Sequence, residues 1–69
     1  MLQRCDKVWV WHDLIKCRGI VMAVKPNGNT VISYNHPNGI GEVTGREFTK
    51  KEIVNKVCKM ERKDYLRNP

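Results

Sequence analysis

The chain has 69 residues, 41% of them hydrophobic and 29% charged, and its 13 Lys and Arg against 7 Asp and Glu give a formal net charge of +6. A chain this short makes one domain, 1–69, burying only about 60% of the surface its unfolded form exposes, with a globular and not a disordered composition. No apolar run nears the roughly 20 residues that span a bilayer, and the start Met1-Leu2-Gln3-Arg4-Cys5-Asp6 meets charge too early for a secretory signal, so a soluble cytoplasmic protein with no membrane partner is expected.

The first periodic stretch, Asp6 to His12, reads DKVWVWH. Its alternation sends Val8 and Val10 one way and Lys7, Trp9 and Trp11 the other. With the valines in the core, the tryptophans form an exposed aromatic stripe beside a lysine. The competing reading packs at least one Trp at the mouth of the fold or under the C-terminal segment, because large aromatics usually supply core area in small domains.

Asp13-Leu14-Ile15-Lys16 reads as a short connection, and Cys17-Arg18-Gly19 as the approach to a second strand. Gly19 within a strand-like run marks a bulge or a close backbone approach, the bend by which one long strand serves both sides of a small barrel. Ile20 to Val24 and Thr30 to Tyr34 are runs rich in β-branched residues, joined by Lys25-Pro26-Asn27-Gly28-Asn29. Pro26 presets its φ and Asn27-Gly28 tolerates a positive one, so the two runs form a β-hairpin. The third strand continues to Asn35 and into another turn signal, His36-Pro37-Asn38-Gly39. Ile40 to Thr44 then reads as a fourth strand, Gly45-Arg46 as a turn and Glu47-Phe48 as a very short fifth strand.

Thr49-Lys50-Lys51-Glu52 fits a capping box, and Phe48 before the cap with Ile53 inside the helix fits a hydrophobic staple. From Lys50 onward Ile53, Val54, Val57, Cys58 and Met60 share an apolar face opposite Lys51, Lys56, Lys59, Arg62, Lys63 and Arg67. The helix is expected over 50–65, fraying after about Tyr65. The fold class that follows is mainly β: a five-stranded, partly open small barrel over 5–48 with a C-terminal amphipathic α-helix.

Cys5, Cys17 and Cys58 are an odd set with no C-x-x-C pair, which speaks against a disulfide framework and for free thiols. Cys5, His12, Cys17 and His36 are residue types that bind zinc, but their spacing matches no zinc pattern, so no metal is expected. No nucleophile stands beside a base, and Gly39-Ile40-Gly41 lacks the continuation of a phosphate loop. The expectation is a protein that is not an enzyme and carries no cofactor.

The run Asp6-Lys7-Val8-Trp9-Val10, followed by Arg18-Gly19-Ile20-Val21 and, after the turn, Thr30-Val31-Ile32-Ser33-Tyr34, resembles the SH3-like small barrels of the KOW, Tudor and integrase C-terminal type. The likeness covers about residues 5–53, and it implies a module that binds RNA, DNA, methylated peptides or other proteins. The Tudor use would need an aromatic cage, for which Trp9, Trp11, Tyr34, Phe48 and Tyr65 are the candidates. The type II dihydrofolate reductases are also SH3-like and similarly short, but their Val-Gln-Ile-Tyr active-site segment has no counterpart here.

Residues 50–69 hold seven basic against three acidic side chains, a balance of +4, while the other 49 residues carry +2. Such a surface draws in polyanions, and exposed tryptophan stacks on bases with little sequence preference. The function expected is therefore nucleic-acid binding, single strands or RNA favoured, by Lys7, Trp9, Trp11, Arg18, Lys56, Lys59 and Lys63. The alternative is a protein-interaction module, a phage or mobile-element factor that docks on a host protein or forms a homodimer through the Trp stripe and strand edges.

Overall fold

The computed structural model describes residues 2–36 and 41–65. In chain order the elements are β1 (Lys7–His12), β2 (Ile15–Val24), β3 (Thr30–Asn35), β4 (Glu42–Phe48), α1 (Lys50–Lys56), β5 (Val57–Lys59) and α2 (Arg62–Tyr65). The strands make one antiparallel sheet in the order β4-β3-β2-β1-β5. The fold is mainly β as expected; β4 and β5 stand at opposite edges, so the sheet is not closed.

The hairpin of β2 and β3 forms where the turn residues demand it. The Gly28 N–H donates to the Lys25 carbonyl at 2.9 Å, and Gly28 takes φ +89°, the conformation a side chain would resist. The link from β1 to β2 is shorter than the sequence implied: His12 pairs with Ile15, leaving only Asp13 and Leu14 in the turn. Asp13 supplies the positive φ of 55° that such a tight reversal requires. Ile15 and Lys16, expected in the connection, therefore open β2.

Gly19 is a point of close approach. An added Cβ would lie 3.0 Å from the Ser33 carbonyl oxygen, 3.1 Å from the Tyr34 Cβ and 3.2 Å from Val10 Cγ2. Here β2 changes partners: Ile15 to Ile20 pair with β1, whereas Gly19 to Val24 pair with β3. The irregularity in the ladder lies further on, between Val21 and Ala23, and not at the glycine.

Two expectations from the sequence are corrected. Residues 42–48 form one strand without a turn at Gly45-Arg46; Gly45, at φ +68°, is absorbed as an irregularity and its N–H donates to Ser33 Oγ at 2.9 Å. The helix expected over 50–65 ends at Lys56, and Val57, Cys58 and Lys59 become the fifth strand, opposite Val10, Trp9 and Val8. The unpaired edge of β1 offers this segment backbone partners, and pairing there turns Val57 against the core. The helix start is as expected, with the capping box of Thr49 and Glu52 formed in both directions. Most of the turn signal at His36–Gly39, the first residue of the stretch assigned to Ile40–Thr44 and the end beyond Tyr65 lie outside the described residues.

One face of the sheet carries the core: Val8 and Val10 from β1, Cys17 and Val21 from β2, Ile32 and Tyr34 from β3, and Phe48 from β4, with Leu2, Val43, Ile53 and Val57 packed around them. Burial of Cys17 pushes its thiol above the ordinary value. No buried side-chain nitrogen or oxygen among the described residues lacks a partner. At the edges, Arg46 donates to Glu52 at 3.1 Å and to Tyr34 Oη at 3.4 Å, and its guanidinium lies 4.4 Å from the Phe48 ring centre. Lys25 and Asn29 both donate to Glu47, which holds that carboxyl below the usual range.

Gly19→Ala puts a methyl group against backbone that cannot rotate away. It is expected to lower the urea midpoint by the equivalent of about 1–3 kcal/mol, the range for an overpacked interior. An unchanged midpoint would show that the three strands separate there at no cost.

Candidate nucleic-acid interface

Alternation in β1 and β2 sends the remaining side chains to the face away from the core. In register, Trp9 stands opposite Arg18, Trp11 opposite Lys16 and Lys7 opposite Ile20. Residues paired in this way share a face, so two tryptophans and three cations gather on one exposed surface. Lys16 Nζ lies 4.4 Å and the Arg18 guanidinium carbon 5.5 Å from the centre of the Trp9 ring, both within cation–π range.

The tryptophans are not equivalent. Trp11 is 40% exposed. Trp9 is half-buried, and its indole Nε1 donates to Asp64 Oδ2 at 3.4 Å, tying α2 to the sheet. The same carboxylate accepts from the Glu61 N–H at 2.8 Å, and these two bonds, the backbone one first, hold Asp64 below the ordinary aspartate value against the desolvation that opposes them. Both expected positions of tryptophan are thus present: Trp11 stands out to solvent while Trp9 packs beside the C-terminal segment.

Of the residues expected to contact nucleic acid, Lys7, Trp9, Trp11 and Arg18 come together on this face. The other three stand outside this cluster, although Lys59 lines a small depression with Lys7 at the β5 edge. Lys56 ends α1 and acts on Glu52, Lys59 pairs with Asp6 at 3.6 Å, and Lys63 pairs with Glu61 at 3.3 Å. The basic helix face expected from the sequence is replaced by these separate positions. Lys16 was not singled out by sequence, although the two-residue turn that aligns His12 with Ile15 would have placed it beside the tryptophans.

Among the described residues no aromatic cage of the Tudor type is assembled, and the side chain of Tyr65 lies outside them. Tyr34 and Phe48 are buried on the core face, 3% and 0% exposed, with the sheet between them and the tryptophans. The rings of His12 and His36 are 5.0 Å apart. No three His, Cys, Asp or Glu among the described residues gather in a way that could hold a metal ion. No helix among them is long and apolar enough to cross a membrane.

Single-tryptophan variants should separate the two indoles. With Trp9→Phe, the remaining Trp11 should be readily quenched by acrylamide, whereas with Trp11→Phe the remaining Trp9 should be less accessible to acrylamide yet favour iodide over caesium because of Lys16 and Arg18. Equal quenching of both variants by all three agents would contradict this arrangement. No family model, no curated protein and no solved structure matches the chain, so its function is approached through the chemistry of this surface.

Proposed function

We propose that the protein is a non-enzymatic nucleic-acid-binding module, built on a partly open SH3-like barrel and selective for single strands or RNA. The observation that carries this reading is the cluster on the outer sheet face, where Trp11 is exposed and Lys16 and Arg18 flank Trp9. Trp11 stacks on a base, and Lys7, Lys16 and Arg18 neutralise the phosphates on either side. Base–aromatic stacking is worth about 1–3 kcal/mol and is tolerant of sequence, whereas duplex bases are already stacked on one another. The SH3-like assignment is supported by the order of the sheet, a four-strand meander whose fifth strand returns beside the first through one short helix.

Titration with single-stranded RNA, single-stranded DNA and duplex across a range of salt tests the reading. Affinity should fall as salt rises, Trp11→Ala should weaken binding by about 1–3 kcal/mol, and Lys16→Ala and Arg18→Ala should each lower the salt slope by about one. Absence of binding at low ionic strength would sink it.

A second reading, a homodimer or protein-docking module, is favoured by the exposed apolar side chains along β2 and its turn: Leu14 at 93%, Ile15 at 51%, Met22 at 47% and Val24 at 42%. Self-association through these residues would appear as a dimer mass by light scattering, reverting to monomer in Met22→Lys. A monomer at all concentrations excludes the homodimer.

A further inference from the structure

The outer face carries a row of side chains that crosses the whole sheet. Cys58 of β5 is paired with Trp9 of β1, Trp9 with Arg18 of β2, and Asn35 of β3 with Glu42 of β4. The Gly19–Tyr34 pair sets Arg18 beside Asn35 and closes the gap. With neighbouring strands about 4.8 Å apart, Trp9 and Glu42 lie roughly 14 Å from one another, the scale of a dinucleotide. The far end of the row opens into a shallow concavity of about 390 Å³ whose polar lining includes Lys7, Arg18, Ser33, Asn35 and Glu42.

Glu42 is out of place on a surface built for phosphate. A carboxylate beside Lys7 and Arg18 repels a polyanion and would lower affinity, unless something in the ligand donates to it. Among the described residues no hydrogen bond or ion pair engages its side chain, in contrast to Glu47, Glu52 and Glu61, which all have cationic partners. The groups in a nucleic acid that can donate to a carboxylate are the base edges and the ribose hydroxyls.

We infer that the Asn35–Glu42 end of the row is a base subsite selective for guanine, a conclusion that rests on the nucleic-acid reading above. Guanine alone among the common bases presents two adjacent donors, N1–H and the N2 amino group, on its Watson–Crick edge. The two oxygens of Glu42 accept both. Adenine and cytosine set a ring-nitrogen acceptor beside their single amino group, and uracil sets a carbonyl on each side of N3–H, so each would turn a lone pair toward the carboxylate. Asn35, next to Glu42, donates its amide N–H to guanine O6, and Arg18, between this subsite and Trp9, holds the phosphate. The row then reads from β4 to β2 as base edge and phosphate, with the stacking Trp11 further along the same face on β1.

Trp fluorescence or anisotropy would be followed for uridine oligonucleotides carrying a single guanine, adenine or inosine. The guanine oligonucleotide should bind about tenfold tighter than the adenine one, within the range for a good bidentate contact. Inosine lacks the N2 amino group but keeps O6 and N7, so its affinity should drop toward that of adenine if Glu42 reads the base. Glu42→Gln, at an exposed position that leaves the core untouched, should remove most of the guanine preference while leaving uridine binding equal or stronger. Equal affinity for all three oligonucleotides, with a salt slope present, would overturn the guanine subsite and leave the nucleic-acid reading standing. Binding of inosine as tight as guanine, or a preference that survives Glu42→Gln, would overturn the role of Glu42. Failure of every oligonucleotide to bind at low salt would overturn both.

Discussion

At Gly19 three strands meet so closely that a methyl group would fit only if its neighbours moved. The glycine lies against Val10 of β1 on one side and against the Ser33 carbonyl and the Tyr34 Cβ of β3 on the other, all within 3.2 Å of where a Cβ would stand. Close approach there lets β2 hand its pairing from β1 to β3 without a break. The two halves of the sheet then share a single core face, on which Val8 and Val10 meet Ile32, Tyr34 and Phe48. The other face of the same strands is left to Trp9, Trp11, Lys16 and Arg18. Core and candidate site are the two sides of one alternating pattern.

The C-terminal segment shows how a sheet edge outweighs helix pattern. Val57, Cys58 and Met60 extend the apolar stripe begun by Ile53, and the residues in this stretch differ in helix preference by only a few tenths of a kcal/mol each. A strand at the edge of β1 instead satisfies backbone groups of both segments and buries Val57 against the core, with the Met60 N–H continuing the ladder to the Lys7 carbonyl at 2.9 Å. Val54, left behind on the short helix, is 82% exposed as a result. Trp9 gains a neighbour on β5 and a hydrogen bond from its indole to Asp64, so the change of structure also orders one edge of the aromatic surface.

Ion pairing sets some of the cations apart from the rest. Lys25, Arg46, Lys59 and Lys63 each form an ion pair with a carboxylate, and the first two join neighbouring elements at the rim of the sheet. These pairs are solvent-facing, and such contacts add little to stability one by one. Lys16 and Arg18 instead lie over an indole ring, where their charge remains directed outward. Lys7, Lys16 and Arg18 thereby bring three cations of the N-terminal half to one face, although composition alone placed most of the net charge in the C-terminal third.

Local chemistry determined much of this from sequence. The period-two pattern of residues 6–12 put Val8 and Val10 on one face and the tryptophans on the other, without deciding which was core; Pro26 and Gly28 specified the hairpin; Thr49, Glu52 and the apolar pair around them specified the start of the helix. These features depend on residues a few positions apart, so local chemistry alone selects the turn or the cap. What only the tertiary structure decided depends on partners distant in the chain. Gly45 could be a turn or a strand irregularity until Ser33 met its N–H, residues 57–59 could be helix or strand until the edge of β1 was in place, and Lys16 could face any direction until Asp13 fixed the register of β1 against β2. The row from Cys58 to Glu42 draws on all five strands, and no local pattern brings such residues side by side.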